Sequence, residues 1–257
     1  MKKIISAFII SGFILSCSSS NDDNPNNENV TPILPTKIVT DNNTTENFTY
    51  KNTTEISEIN FLTGKKIYTY DGENISKVSI YDKDKLVQTI DYKYAGSRVS
   101  TMTTTLADNS KIILLLDWID DTHLKYTKVD VANPVPVSGE CFYTNGNLSK
   151  TVNIIKDGDV TSTFENTYEY DNKQNPYYNV KGFYQINVLT PEFGKNNVTK
   201  STMKTTFTSS AGTTSSTATS TSTYTFSSKN VPDQQTTKGL SANGQATTSI
   251  KNYFYNR

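Results

Sequence analysis

The sequence predicts an all-β protein, an antiparallel meander of roughly a dozen strands that forms a curved single sheet or a partly closed barrel. Three observations lead there. Polar and apolar residues alternate with period two along most of the chain, and no stretch keeps a helical period. Turn dipeptides punctuate it, among them Asp71-Gly72, Asn145-Gly146, Asp157-Gly158 and Asn243-Gly244, where glycine accepts the positive φ of a tight hairpin. An aromatic hairpin recurs: Tyr68–Lys77 reads Y-T-Y-D-G-E-N-I-S-K, with variants at Tyr92–Val99, Phe142–Lys150 and Tyr168–Pro176 and looser forms at Tyr224–Val231 and Tyr253–Tyr255.

Composition agrees. Hydrophobic residues are 34% and charged residues 19% of the 257, and Thr, Ser and Asn fill the deficit, which suits thin sheets with modest cores. Lys plus Arg equal Asp plus Glu at 25 each, so no basic footprint for nucleic acid is present.

The chain divides into a signal peptide (residues 1–16), a lipidated flexible tether (17–45) and an antiparallel β domain (46–257). Lys2 and Lys3 precede an apolar run, Ile4–Leu15, too short to span a bilayer as a helix and suited to a signal h-region. The run ends I-L-S-C at Ile14–Cys17, which resembles the lipobox of bacterial lipoproteins. That resemblance implies cleavage before Cys17 and acylation of its thiol. The segment after it, S-S-S-N-D-D-N-P-N-N-E-N, has too few apolar groups to offset ordering entropy.

In the body, Asn47–Lys51 reads as a strand and Ile56–Phe61 as a strand or a helical turn. Lys65–Asp71 and Ile75–Tyr81 form a hairpin, Leu86–Tyr94 and Arg98–Leu106 the next. Lys111–Ile119 holds the longest apolar run of the body and reads as a strand covered on both sides. His123–Val131 is a strand, and Pro134 and Pro136 mark a loop or edge crossing. Val137–Tyr143 and Leu148–Ile155 form a hairpin. Val160–Asp171 is a long strand with Phe164, Asn166, Tyr168 and Tyr170 on one face. Tyr177–Thr190 is irregular and aromatic. Val198–Ser209, Tyr224–Ser227, Gln234–Lys238 and Gln245–Tyr255 complete the meander. The Ser/Thr run Thr213–Ser222 lacks apolar partners, so its register is weakly specified.

Few groups carry chemistry. Asp117, Asp120, Asp121 and His123 include carboxylate and imidazole donors, which suit a divalent cation, but a solvated turn accounts for them more simply, and neither a metal nor another cofactor is expected. Glu169 and Asp171 lie two residues apart on one strand, about 7 Å, a separation that glycosidase carboxylates use. Cys141 is expected to pack as a small apolar group. Tyr68, Tyr70, Tyr92, Tyr94, Tyr168 and Tyr170 could form a platform for a glycan or peptide, or fill one side of the sheet by cross-strand packing.

The pieces Tyr168–Pro176, Lys195–Val198, Tyr224–Phe226, Val231-Pro232 and Tyr253–Tyr255, in this order, resemble uncharacterised Bacteroidetes lipoproteins of the Flavobacterium type. Related domains of unknown function imply a porin-like antiparallel fold. The resemblance implies an outer-membrane lipoprotein, anchored on the periplasmic face or at the cell surface. No family activity comes with it. The expectation is therefore a non-enzymatic binding or structural module, with a glycan-acting hydrolase as the alternative.

Overall fold

The computed structural model describes residues 31–41, 43–131, 137–240 and 244–256. Cys17, the signal peptide and most of the tether lie outside the described residues, as do Pro134, Pro136 and Asn243. The described chain contains sixteen strands: β1 (Pro35–Thr40), β2 (Thr44–Tyr50), β3 (Ile56–Asn60), β4 (Gly64–Asp71), β5 (Asn74–Asp82), β6 (Lys85–Ala95), β7 (Arg98–Leu106), β8 (Lys111–Trp118), β9 (His123–Asp130), β10 (Val137–Thr144), β11 (Asn147–Asp157), β12 (Val160–Gln174), β13 (Asn196–Ser209), β14 (Gly212–Phe226), β15 (Pro232–Leu240) and β16 (Ala246–Tyr255). Each pairs antiparallel with its neighbours in sequence, and β1 pairs with β16, so the sheet is a closed barrel.

The all-β meander is as predicted, with more strands and full closure. The tether boundary is corrected: β1 and the start of β2 fall inside residues 17–45 and belong to the barrel. Alternation explains why, since Ile38 points inward beside Tyr253 and is buried. Ile56–Asn60 is a strand. The covering of β8 on both sides is also corrected, since Leu114 and Leu116 face inward while Leu115 is 48% exposed on the outer wall. The Ser/Thr run is part of one continuous strand, β14, held in register by ladders to β13 and β15.

In an up-and-down meander the connections alternate between two ends. Those after the even-numbered strands lie at one rim, with the start of β1 and the end of β16. At this rim one structural unit repeats. In five of the odd strands an inward apolar residue at or near the start is followed by a bulge: Pro35 and Thr36, Ile56 and Ser57, Ile75 and Ser76, Val99 and Ser100, Leu148 and Ser149. The bulge hydroxyl donates across the hairpin, Thr36 Oγ1 to Phe254 O (3.2 Å), Ser57 Oγ to Thr49 O (3.0 Å), Ser76 Oγ to Thr69 O (3.2 Å), Ser100 Oγ to Lys93 O (3.2 Å) and Ser149 Oγ to Phe142 O (2.9 Å). A bulge of this kind bends the strand and re-aims its side chains.

The same unit explains the tyrosines. Pairing between an odd strand and the next begins only after the bulge, at Lys77–Asp91, Thr101–Leu115, Lys150–Thr167 and Lys200–Thr221. The carbonyl of the opening apolar residue lies outside that ladder and needs a donor. The terminal aromatic of the following strand supplies it. Tyr94 OH donates to Ile75 O (2.8 Å), Trp118 Nε1 to Val99 O (3.1 Å), Tyr170 OH to Leu148 O (2.6 Å), Tyr224 OH to Val198 O (2.8 Å), Tyr255 OH to Pro232 O (2.7 Å) and Tyr50 OH to Pro35 O (2.8 Å). At β4 the pairing is reversed: Tyr70 OH accepts from Ile56 N (3.2 Å).

The connection from β12 to β13, residues 175–195, folds into this rim as a cap. It contains a short helix, α1 (Phe183–Ile186), and a 3-10 turn at Pro191–Phe193. Val180, Phe183, Ile186 and Val188 are buried. Tyr177, Phe183 and Phe193 form a cluster with centroids 4.8–5.5 Å apart, which reaches Phe48 and Tyr68 on the wall. Gly182 has φ 74°, and a Cβ there would meet Ile75 at 3.1 Å, so the cap passes the rim only as glycine.

Removing one rim hydroxyl tests the unit. Tyr94→Phe leaves the buried Ile75 carbonyl without its donor and is expected to lower unfolding stability by about 1–3 kcal/mol, measured by urea denaturation. Tyr178→Phe, at a ring 53% exposed, is expected to change it by less than about 0.5 kcal/mol.

Candidate functional site

The register turns one face of every strand inward. Tyr68, Tyr70, Tyr92, Tyr94, Tyr168 and Tyr170 do share a side, and it is the interior of the capped end. Tyr68 and Tyr92 are only 9% and 8% exposed, and Tyr68 packs on Phe183 of the cap. Tyr70 OH donates to Lys181 O of the cap at 2.9 Å, and Tyr94 and Tyr170 spend their hydroxyls on the rim carbonyls. The six rings pack inside the capped end, the second of the two arrangements that the sequence allows, and Tyr68, Tyr70 and Tyr170 touch the cap.

The Asp117–His123 residues are dispersed. Asp120 accepts from Thr122 N and Oγ1 at 2.6 and 2.7 Å, Asp121 pairs with Arg98, and His123 Nε2 lies 3.0 Å from Glu140 on the outer wall. Among the described residues no group of three His, Cys, Asp or Glu could hold a metal ion. Glu169 and Asp171 are committed to different partners: Glu169 to Lys200 at 2.7 Å, and Asp171 to Asn197 N and Nδ2 at 3.0–3.2 Å. Cys141 is buried, and burial pushes its thiol up to about 12. Gly139 lies beside it in β10, where a Cβ would meet the Tyr126 ring at 2.5 Å, and the Tyr126 hydroxyl bonds Asn153 across the interior.

Along β14 to β16 the interior turns polar away from the cap. β14 to β16 present Ser220, Ser222, Thr237 and Ser249 inward. Ser222 and Thr237 hydroxyls lie 2.8 Å apart, Gln235 Nε2 donates to both, and Tyr253 OH donates to Gln235 Oε1 at 2.7 Å. Between this wall and the inner side of the cap lies a cavity of about 250 Å³, lined by Glu46, Tyr177, Glu192, Asn197, Lys251 and Tyr253 among others. Sequence reasoning did not assemble these residues, which come from both ends of the chain. The available signal was phase: Glu46 alternates in step with Phe48, and Lys251 in step with Tyr253, so both point where the core points.

The outer wall mixes polar groups with exposed apolar side chains, among them Leu115, Ile154, Ile250 and Phe254. Threonines alternate along β14 at Thr217, Thr219, Thr221 and Thr223. Cross-strand ion pairs join Lys77 to Asp91 (3.0 Å), Lys150 to Glu165 (2.7 Å) and Lys200 to Glu169 (2.7 Å). Lys125 lies 3.6 Å from Glu140.

No protein-family model and no curated protein sequence matches the chain. Among solved structures it is similar to a porin-like protein from Bacteroides vulgatus, at 12% identity and TM-score 0.56, over 88% of this chain and 99% of that one. A porin-like protein from Bacteroides uniformis matches at 13% identity and TM-score 0.51, over 86% of this chain and 98% of that one. The likeness shows the porin-like fold that the sequence resemblance implied.

The buried phenols give the barrel a pH signature. Burial raises Tyr94 and Tyr126 to about 12 from 10.0. The fold therefore favours their protonated forms: that contribution is complete below the unfolded value and is lost as pH climbs from 10 towards 12. Urea stability is expected to fall over this window, with tyrosinate absorbance appearing as the barrel opens.

Proposed function

We propose that the chain is a non-enzymatic, lipid-anchored envelope protein whose barrel stands in water and serves as a binding module. The observation that carries this reading is the outer wall. A barrel crossing a bilayer shows lipid an apolar band with aromatic girdles, and Lys or Arg at its midplane costs about 2–4 kcal/mol. Here the wall carries cross-strand Lys–Asp and Lys–Glu pairs and rows of threonine. The polar groups and the cavity of the interior suit a ligand rather than a free channel, because the cap fills one end.

Membrane contact then falls to acylated Cys17, at the outer membrane on its periplasmic face or at the cell surface. Each buried CH₂ of the acyl chains contributes about 0.8 kcal/mol, so several chains anchor firmly. β1 starts at the capped rim, so the chain enters the barrel there and the other mouth lies at the far end from that entry. The hydrolase alternative has less support, since Glu169 and Asp171 are engaged by Lys200 and Asn197.

Cys17→Ser is expected to abolish palmitate labelling and to release the intact barrel into the soluble fraction without detergent. Retention of the variant in membranes would overturn the water-exposed barrel. On a panel of immobilised glycans and peptides, retention without turnover is expected. Turnover that disappears in Glu169→Gln would favour the hydrolase.

A further inference from the structure

Resting on the reading of the barrel as a binding module, we propose that the cavity beneath the cap is a site for a small neutral saccharide. Three charged groups face it without partners. Among the described residues, neither the carboxylates of Glu46 and Glu192 nor the ammonium of Lys251 has an ion-pair partner within 4.0 Å, although all three line the same space. Glu46 and Lys251 are half-buried there, and Glu192 stands exposed at the edge of the cavity.

An independent observation points the same way. Asn197 is 1% exposed and lines the cavity. Its Nδ2 faces the Asp171 carboxylate at 3.0 Å and the carbonyls of Lys173 and Gln174 at 3.4 Å. The reverse amide orientation would set oxygen against these acceptors, so the assignment is fixed by its surroundings. Oδ1 is left on the other side of the amide, buried and, among the described residues, without a partner. A buried acceptor in this condition is uncommon and calls for a ligand or a water.

The chemistry of the occupant follows from these groups. Two carboxylates oppose an anion, and Lys251 opposes a simple cation. An uncharged molecule remains, one that donates to Glu46, Glu192 and Asn197 Oδ1 and accepts from Lys251. Hydroxyl groups do both. The rings of Tyr177 and Tyr253 add flat apolar surface with polar tips, which suits the C–H face of a sugar ring. The volume, about 250 Å³, is near the lower end for ligand pockets and suits one or two such rings.

The test is calorimetric titration of the full-length mature protein with glucose, galactose, mannose and their disaccharides, with glycine and lysine as zwitterionic and cationic probes. Saturable binding of at least one neutral sugar is expected. Glu192→Gln and Lys251→Met are each expected to weaken it about tenfold or more, while Lys77→Met on the outer wall leaves it unchanged. Melting curves confirm that the variants fold. Sugar binding that persists unchanged in both cavity variants would overturn the cavity and leave the binding module standing. Saturation by glycine or lysine alone would overturn the saccharide. Failure of every probe here, together with failure on the glycan and peptide panel, would remove the binding module as well.

Discussion

A single requirement shapes the capped rim: each carbonyl left outside the ladder by a bulge must find a donor. Bulging at Thr36, Ser57, Ser76, Ser100 and Ser149 turns the strand ends inward. It also strands the carbonyl of the preceding apolar residue, which is buried and cannot turn to water. A phenol is long enough to cross from the next strand, and its ring fills the space left behind. Through Tyr50, Tyr94, Trp118, Tyr170, Tyr224 and Tyr255 a strand end is thereby joined to the strand before it by a side chain as well as by backbone. The cap uses the same chemistry, since Tyr70 OH and Tyr143 OH donate to its carbonyls at Lys181 and Val188.

Inside and outside divide the remaining work. Apolar and aromatic groups gather at the capped end, where they hold residues 175–195 in place. Hydroxyls and amides line the interior beyond it along β14 to β16. The outer wall carries threonine and ion pairs that contribute little to stability when exposed and matter because of where they stand. A membrane-spanning barrel with a polar interior distributes its apolar groups outward. Here the buried ones gather at the inner rim beside the cavity that Glu46, Glu192 and Lys251 line, while Leu115, Ile154, Ile250 and Phe254 stand on the outer wall.

Much of this was readable from the residues, and the failures have physical causes. Alternation identified the strands, and Tyr68, Tyr92 and Tyr168 do share a side. The purpose of the Y-x-Y pairs was not readable, because the acceptor of each hydroxyl lies one hairpin earlier and depends on a bulge. Trp118 and Tyr143 occupy the same structural position with different spelling, which hid the full set. β1 was assigned to the tether because its partner is β16, at the opposite end of the chain. The cavity residues had only their phase to mark them. Glu192 lacked even that, since it sits in the irregular cap.

The seam between β1 and β16 ties the first described strand to the last. During synthesis Ile38 emerges more than two hundred residues before its neighbour Tyr253, so early strands must wait with one edge open. Loop closure over such a distance costs only slightly more than over half of it. The difficulty is the waiting edge, which invites pairing with another chain. A chain truncated before β16 would keep that edge permanently, and nascent copies depend on reaching their last strand or on being shielded until they do.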